Sequence, residues 1–385
     1  MSLRGRQPTG KNSESYTSKK RNLVLYLSYC NTAIQMIVNR NREIMLLYTH
    51  MLRLWQMAFV AIEGLCDESI MDNRPLKKLI QRNKWTKAFP DQRACTGNRP
   101  PSELRNPSLP LNFNLKNSTG IEESDMEIIK EQVSRSINHT SCSRWRIPLD
   151  LQLTVTLTWL RRQYRFSELA QYFQLSTSQC YRIIRTLIPH LVSSINYIQL
   201  PESWPVNELG CSGAIDGSTH PRNRIHPGQA LLYRGDKGGH MLSAQVIVDM
   251  FGSPVEVVIC LGHNTDQRML VLTRLEERFA SLRNVDGEAI LFMADKGYSS
   301  SVTVSPKKKR VKEATKNLLS EGDPALAILH KKRAIVENFN SEVKHWSIAK
   351  EKNGQCIFLH AYGLMVVYQL ASLTWGRSRL NTLEN

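Results

Sequence analysis

Apolar residues recur at helical spacing in two stretches of this chain and at strand spacing through much of its second half. Residues 23–70 and 126–198 follow the helical pattern. From residue 210 onward, short runs rich in Val and Ile predict strands at 211–215, 240–250, 255–261 and 289–294, and helical patterns return at 266–283, 334–346 and 360–375. This order predicts an α/β fold with a mixed sheet flanked by helices, preceded by an all-α region.

Composition divides the chain further. Residues 1–22 are rich in Ser, Thr, Lys and Arg, which predicts a disordered basic tail. Residues 23–125 combine a helical segment with a proline-rich connector, and we assign no role to them. Charged residues interrupt the apolar stretch 34–65, which predicts a packed helix rather than a membrane span. We therefore expect two functional regions, an all-α region at 126–200 and an α/β region at 208–375.

Within the first of these parts, residues 166–185 have the layout of a helix-turn-helix. Ser167 would cap a short first helix, and Ser176 or Thr177 would cap the second after a turn at 175–176. In a helix-turn-helix, the second helix enters the major groove of DNA by its N-terminal side chains. The polar side chains expected to face outward for this purpose are Thr177, Ser178, Gln179, Arg182 and Arg185. A helical hairpin with no role in DNA binding is the alternative.

The charge of the chain is unevenly distributed. The net charge is +17, and residues 1–200 contain 28 Lys and Arg against 15 Asp and Glu, whereas residues 201–385 contain 23 against 19. This balance favours a protein that docks on a polyanion through its first half, while a basic surface that only aids solubility is the alternative. The eight cysteines include no CxxC pair, so we expect reduced thiols rather than a cysteine metal site.

Three short motifs place acidic residues where a metal-dependent nuclease would need them. Asp216 and Asp295 each end an apolar run and are followed within two residues by a glycine, and Glu337 lies in a helical pattern. Two divalent cations about 3.5–4 Å apart can stabilise charge on the entering and leaving oxygens of a phosphodiester. Mg²⁺ prefers oxygen ligands, so a few carboxylates suffice to hold such a pair.

With its neighbouring motifs, this set resembles the DDE transposases of the IS5 and PIF/Harbinger superfamily, including transposase-derived nucleases, over about residues 145–375. The resemblance rests on five boxes in the family's order, namely Ala214-Ile215-Asp216-Gly217-Ser218-Thr219-His220, Tyr233-Arg234-Gly235-Asp236-Lys237-Gly238-Gly239-His240 with 245–249, Gly262-His263-Asn264-Thr265-Asp266, Ala294-Asp295-Lys296-Gly297-Tyr298, and Arg333-Ala334-Ile335-Val336-Glu337-Asn338-Phe339 with Lys344. The first box reads Asp-Gly-Ser-Thr-His, which has one residue more than the usual Asp-Gly-Thr-His. Residues 1–125 match nothing in the family.

The resemblance implies an RNase H-like core at 208–375 with a helix-turn-helix before it. It also implies that Asp216 on the first strand, Asp295 on the fourth and Glu337 on the following helix bind Mg²⁺ or Mn²⁺ as two ions. Asp266 is the alternative second catalytic aspartate, but we favour Asp295 because Asp266 opens a helix, where a carboxylate also serves as an N-cap. Asp266 is therefore expected as an accessory residue.

Other side chains near these boxes have two interpretations each. Arg333 and Lys344 lie on the face of Glu337 and would clamp phosphate as accessory residues, or form a solvated helix face. Lys296 and Tyr298 would position DNA or simply pack. The histidines near the boxes, which we interpret as ordinary polar or partly buried residues, are His220, His240 and His263.

The expected function is cleavage of DNA strands at transposon ends by water, followed by joining of the 3′-OH to target DNA. The expected partners are double-stranded DNA, further copies of the chain and a separate DNA-binding helper protein. The alternatives are a domesticated DNA-binding protein that does not cut and, more remotely, a ribonuclease on the same core. The basic run at 306–311 resembles a nuclear import signal and favours the nucleus over the cytoplasm, although it could also contact DNA.

Overall fold

The computed structural model of the chain describes residues 109–110, 113–137, 147–225, 229–306 and 318–383. The predictions for the tail 1–22, for the helical segment 23–70, for most of the connector and for the basic run 307–310 lie outside these residues. The described part has helices before the sheet and on the sheet. Its first five helices are α1 Leu115–Thr119, α2 Glu123–Ile137, α3 Leu149–Arg162, α4 Phe166–Tyr172 and α5 Thr177–Ser194.

The second part alternates strands and helices. The strands are β1 Gly213–Pro221, β2 Tyr233–Arg234, β3 Gly239–Asp249, β4 Pro254–Leu261, β5 Phe292–Met293, β6 Thr303–Pro306 and β7 Leu318–Leu319. The helices are α6 Asp266–Leu272, α7 Leu275–Phe279, α8 Pro324–Val343, α9 Ser347–Lys350 and α10 Ile357–Leu383.

The strands form one mixed sheet, which confirms the predicted α/β class. β3 pairs antiparallel with β1 on one side and with β4 on the other, and β2 pairs with the beginning of β3. β1 continues the sheet on its far side through β5, β6 and β7, and these three pairings are all parallel. The long strands β1 and β3 are therefore central, the two-residue strand β5 lies between β1 and β6, and the two-residue strands β2 and β7 lie at the margins of the sheet.

Side chains of β1 alternate between the two helical layers, as strand geometry requires. Ile215 belongs to a buried cluster with Leu270 of α6 and Phe279 of α7. Asp216 and His220 point the other way, toward α8 and toward α9 and α10 respectively. One face of the sheet is thus covered by α6 and α7, and the other by α8, α9 and α10.

Several element boundaries differ from the sequence pattern. The single helix expected at 266–283 is two helices, because Arg274 adopts a left-handed backbone conformation (φ 52°) between them. The strand expected at 289–294 has only two paired residues, and α8 begins ten residues before the predicted 334. Asp323 explains that early start, since its side chain accepts a hydrogen bond from the Ala325 amide (2.9 Å) and Pro324 follows as the first helical residue.

The helix pair α4–α5 forms as the pattern predicts, with one corrected cap. Ser176 caps α5, where its Oγ accepts from the Gln179 amide (3.1 Å) and the Gln179 side chain accepts from the Ser176 amide (2.8 Å). The prediction that Ser167 caps α4 is wrong: the cap residue is Arg165, whose amide donates to the Glu168 carboxylate (2.9 Å).

α10 connects the helical part to the sheet. It packs against α5 and α8, and the Gln369 side chain accepts hydrogen bonds from the backbone amides of Tyr197 (2.6 Å) and Ile198 (3.0 Å). Its stretch Ile357–Gly376 is long and apolar enough to cross a membrane, but 61% of it is buried inside the fold. Packing in the core accounts for this apolar character.

Candidate active site

Asp216 lies within β1, and Asp295 directly follows β5, the neighbouring strand that runs parallel to β1. The register pairs Gly213 with Phe292 and Ala214 with Met293, so each aspartate lies two residues beyond the same paired position. Asp295 follows β5 directly and forms a tight turn in which its Oδ1 accepts from the Gly297 amide (2.6 Å). The two acids that the sequence singled out are therefore brought to one edge of the sheet.

Asp266 lies at the same edge, between the two glycine positions that follow the acids. A Cβ added at Gly297 would be 2.6 Å from Asp295 Oδ1 and 3.0 Å from Asp266 Oδ2. A Cβ added at Gly217 would be 3.1 Å from Asp266 Cγ, with Oδ1 closer still. Neither glycine has a positive φ, so the requirement is for space. The two glycines make room for the Asp266 carboxylate.

The expectation that the Asp266 carboxylate also serves as an N-cap is wrong. The cap of α6 is Thr265, whose hydroxyl accepts from the Arg268 amide (3.3 Å). Asp266 is the first helical residue, and its side chain turns toward the two glycines. There its Oδ1 lies 3.5 Å from the Arg234 guanidinium.

Helix α8 brings a second group of side chains to Asp216. Arg333, Glu337 and Asn340 are spaced by four and three residues, so they share one face of α8. Asn340 Nδ2 donates to Asp216 Oδ2 (3.1 Å), and Arg333 Nη1 lies 3.6 Å from Asp216 Oδ1. The Glu337 carboxylate accepts from Arg333 Nη2, and its side chain is 51% exposed. Glu337 is thus connected to Asp216 through Arg333.

Sequence reasoning missed Asn340. It is 5% exposed, and its Oδ1 has no hydrogen-bond partner among the described residues. The available signal was its position three residues after Glu337, where a polar side chain interrupts the buried face formed by Val336, Phe339 and Val343. A buried amide needs a polar partner, and Asp216 supplies one.

Burial and mutual repulsion disfavour negative charge at this edge. Burial raises the pKa of Asp216 to about 6, opposed by the Arg333 guanidinium and reinforced by Asp295 and Asp266. Burial also raises the pKa of Asp266, opposed by Arg234 and reinforced by Asp295. A group of carboxylates that repel one another while partly buried is stabilised by any added cation.

The donors fit a hard cation in type, although they are not yet gathered around one. Carboxylate oxygens are the ligands that Mg²⁺ prefers, and Asp266 Oδ1 is buried with the Arg234 guanidinium 3.5 Å away. No group of three or more His, Cys, Asp or Glu side chains in the described ranges is already arranged to hold a metal ion.

Other predicted residues near the site have different surroundings. Lys344 is exposed at the C-terminal end of α8, and Lys296 is exposed beside Asp295. Tyr298 is 1% exposed and belongs to the core, which favours packing over DNA contact. His240 and His263 are both partly buried.

His220 is a structural residue beneath the site. Its Nδ1 lies 2.9 Å from the Ala349 carbonyl and its Nε2 lies 3.0 Å from the Tyr368 hydroxyl. The carbonyl can only accept, so Nδ1 carries the proton and Nε2 accepts from Tyr368. Burial lowers the pKa of His220 to about 4, which keeps the ring neutral. The ring fastens β1 to α9 and α10.

On α5, the predicted outward face is only partly present. Thr177, Ser178 and Arg182 are exposed, whereas the Gln179 side chain is half-buried and engaged in the helix cap. The expectation that Arg185 faces outward is wrong, because it is 8% exposed. Its guanidinium lies over the Tyr181 ring (4.6 Å to the centroid) and donates to the Tyr181 hydroxyl, one turn earlier on the helix.

Comparisons of the chain with protein-family models, with curated proteins and with solved structures gave no match.

Proposed function

We propose that this chain is a metal-dependent DNA endonuclease or transposase of the DDE type, with an RNase H-like core. The observation that carries the proposal is the meeting of Asp216, Asp266 and Asp295 at one edge of the sheet. Glu337 on α8 is connected to Asp216 through Arg333. The resemblance implies acids on the first strand, on the fourth strand and on the following helix. In the structure Asp216 lies on β1, Asp295 follows β5, which is the fifth strand when the two-residue β2 is counted, and Glu337 lies on α8.

In this proposal Asp216, Asp295 and Glu337 hold two Mg²⁺ or Mn²⁺ ions, and Asp266 is an accessory carboxylate. Bound divalent cations supply charge stabilisation at the entering and leaving oxygens of the phosphodiester. Asn340 donates to one oxygen of Asp216, and the other oxygen lies 3.6 Å from Arg333 Nη1. Arg333 and Lys344 contact phosphates of the DNA beside the acids. Water cleaves the strand, and the freed 3′-OH then attacks target DNA.

The helix pair α4–α5 acts as the helix-turn-helix of the proposed enzyme. Thr177, Ser178 and Arg182 are exposed on the first two turns of α5, which is the part of a recognition helix that contacts base edges. The excess of basic residues in the first half supports docking on double-stranded DNA. Assembly of further copies, a separate DNA-binding helper protein and a nuclear location remain parts of the same proposal.

Nicking of supercoiled plasmid DNA in the presence of Mg²⁺ or Mn²⁺ tests the proposal. We expect wild-type activity that chelation abolishes, and loss of at least about 100-fold in Asp216→Asn, Asp295→Asn and Glu337→Gln. Glu342→Gln is the matched control, because it removes a glutamate from the same helix that pairs with His345 rather than with Arg333. Equal activity in wild type and Glu337→Gln would rule out the assignment of Glu337.

A second function has its own supporting observation. Glu337 is half exposed and paired with Arg333. This pairing favours a transposase-derived protein that binds DNA without cutting it. Salt-sensitive DNA binding by wild type, with no metal-stimulated nicking at any Mg²⁺ or Mn²⁺ concentration, would select this function.

A further inference from the structure

The Arg333 side chain lies between two of the carboxylates to which the proposed function gives the metal. Its Nη1 is 3.6 Å from Asp216 Oδ1, and its Nη2 contacts the Glu337 carboxylate. The side chain is 17% exposed, so its charge is largely removed from water. A planar guanidinium with several donors can bind two carboxylates at once. Arg333 therefore holds together an acid of the sheet and an acid of α8.

The second arginine of the site is held differently. Arg234 contacts Asp266 (3.5 Å), but its Nε also donates to Asp236 (2.9 Å) and its Nη1 to Ser243 (3.3 Å). Asp236 and Ser243 are not proposed metal ligands, so they keep Arg234 in place whatever binds the acids. The ion pairs that the structure gives Arg333 are both with proposed ligands. A cation that binds those two carboxylates would therefore break both ion pairs of Arg333.

The geometry of Asp216 indicates which contact gives way. Asn340 holds Asp216 Oδ2 at 3.1 Å, shorter than the 3.6 Å from Arg333 to Oδ1. Because Asn340 is 5% exposed, its amide stays in place when Oδ1 takes a new partner. Glu337 lies one helical turn from Arg333 on an exposed part of α8, and both long side chains can pivot about their own helix.

We propose that Arg333 is a built-in counter-ion of the metal-free site, which a divalent cation displaces from Asp216 and Glu337. The proposal rests on the proposed function, because it takes these two acids as metal ligands. The released guanidinium is then free for a DNA phosphate, for which its fork geometry is suited. Arg333 thus lowers the affinity for metal in the absence of DNA and adds affinity for DNA once metal is bound.

Binding of Mn²⁺ to the full chain without DNA, followed by electron paramagnetic resonance, tests the displacement. We expect Arg333→Gln to bind Mn²⁺ about tenfold more tightly than wild type, because about 1.4 kcal/mol of competing contacts is removed. Arg333→Lys keeps the charge and should stay within about threefold of wild type. Lys332→Gln removes the neighbouring charge on α8, which pairs with Glu208 outside the site, and should leave the affinity unchanged.

The outcomes separate this inference from the proposed function. If wild type binds Mn²⁺, Asp216→Asn loses it, and Arg333→Gln binds equally or more weakly, then the displacement is refuted and the metal site stands. If neither wild type nor Arg333→Gln binds Mn²⁺, the metal site and this inference are both refuted. Binding by Arg333→Gln alone would support the inference in its strongest form.

A measurement on the wild type covers the case in which Arg333→Gln does not fold. Phenylglyoxal modifies accessible guanidinium groups, and peptide mass spectrometry measures the rate at each arginine. Saturation with Mn²⁺ should speed modification of Arg333 and leave Arg234 unchanged, since only Arg333 loses its partners. An unchanged rate at Arg333 under saturating Mn²⁺ would refute the displacement.

Discussion

The glycine after Asp216 gives the sharpest test of the site's architecture, because its replacement should affect the site more than the fold. In Gly217→Ala the new Cβ would lie 3.1 Å from Asp266 Cγ, whereas carbon atoms normally stay about 3.5–4.0 Å apart. The Asp266 carboxylate must therefore withdraw by at least about 0.4 Å. The other neighbour, Met269 Cε, is at an ordinary 3.6 Å.

The energetic effect follows from two opposing contributions to the free energy of unfolding. Overpacking costs about 1–3 kcal/mol, while replacing a glycine whose backbone suits alanine stabilises a protein by about 0.4–1 kcal/mol. We expect a net loss of about 1 kcal/mol in urea denaturation. Nicking should fall by up to about 100-fold, because the displaced Asp266 carboxylate lies beside Asp295 and a misplacement of about 1 Å in an active site can cost that much.

A double-mutant cycle removes the clash and so isolates its cause. In the Asp266→Ala background, Gly217→Ala should be neutral or should stabilise the fold by up to about 1 kcal/mol. Gly235→Ala is the matched control, because the nearest atom to its new Cβ is Tyr233 Cε1 at 4.0 Å. The same loss of stability in both backgrounds would show that Asp266 does not lie against Gly217, and would refute the arrangement of the site.

Three further predictions concern pH, packing and DNA. The pKa of Asp216 is about 6 instead of 3.8, so between about pH 4 and 6 the metal-free folded form binds more protons than the unfolded chain. The free energy of unfolding should therefore fall by up to about 3 kcal/mol as pH rises from about 4 to 6. Asp216→Asn should lose this dependence in urea denaturation with chelator. An unchanged pH profile in Asp216→Asn would contradict the burial of the Asp216 carboxyl. His220 acts in the opposite direction, because its pKa of about 4 instead of 6.5 makes the free energy of unfolding fall as pH drops from about 6.5 to 4. Gly262→Ala should cost about 3 kcal/mol, because its Cβ would lie 2.6 Å from the Leu232 carbonyl. Gly376→Ala, inside α10 and with no neighbouring atom within 4 Å, should instead stabilise the protein by up to about 1 kcal/mol in the same measurement. Arg182→Ala should reduce the slope of log Kd against log salt for DNA by about 1 in fluorescence anisotropy, and an unchanged slope would remove α5 from the DNA interface.

The sequence could predict the parts of the site that depend on local pattern. Asp216 and Asp295 each follow an apolar run, and the parallel pairing of β1 with β5 puts them at equivalent positions. The expected end of the first strand at residue 215 is wrong, because the pairing of β1 with β3 continues to Pro221. Arg333 and Glu337 are four residues apart on a helix, so their shared face follows from helical periodicity. Ser176 and Gln179 have the spacing of a capping box and form one.

The remaining parts depend on tertiary contacts that periodicity does not carry. The position of the Asp266 carboxylate is set by glycines 49 residues before it and 31 residues after it in the chain. The burial of Arg185 was not predicted, because its place on the helix looks like a basic outward position, and its contact with the exposed Tyr181 one turn earlier is a local one. The break at Arg274 was equally hidden, because arginine is an ordinary helix former.

Tyr368 and Gln369, adjacent residues near the middle of α10, have consequences for how this architecture can diversify. Tyr368 holds His220 beneath the acidic edge, and Gln369 holds the backbone that follows α5. A single helical turn therefore serves both the helical part and the sheet. Recombination that exchanged the helices before residue 200 for those of another protein would have to preserve the hydrogen bonds made by this turn of α10. The helical part and the sheet are therefore expected to evolve together and not as independent domains.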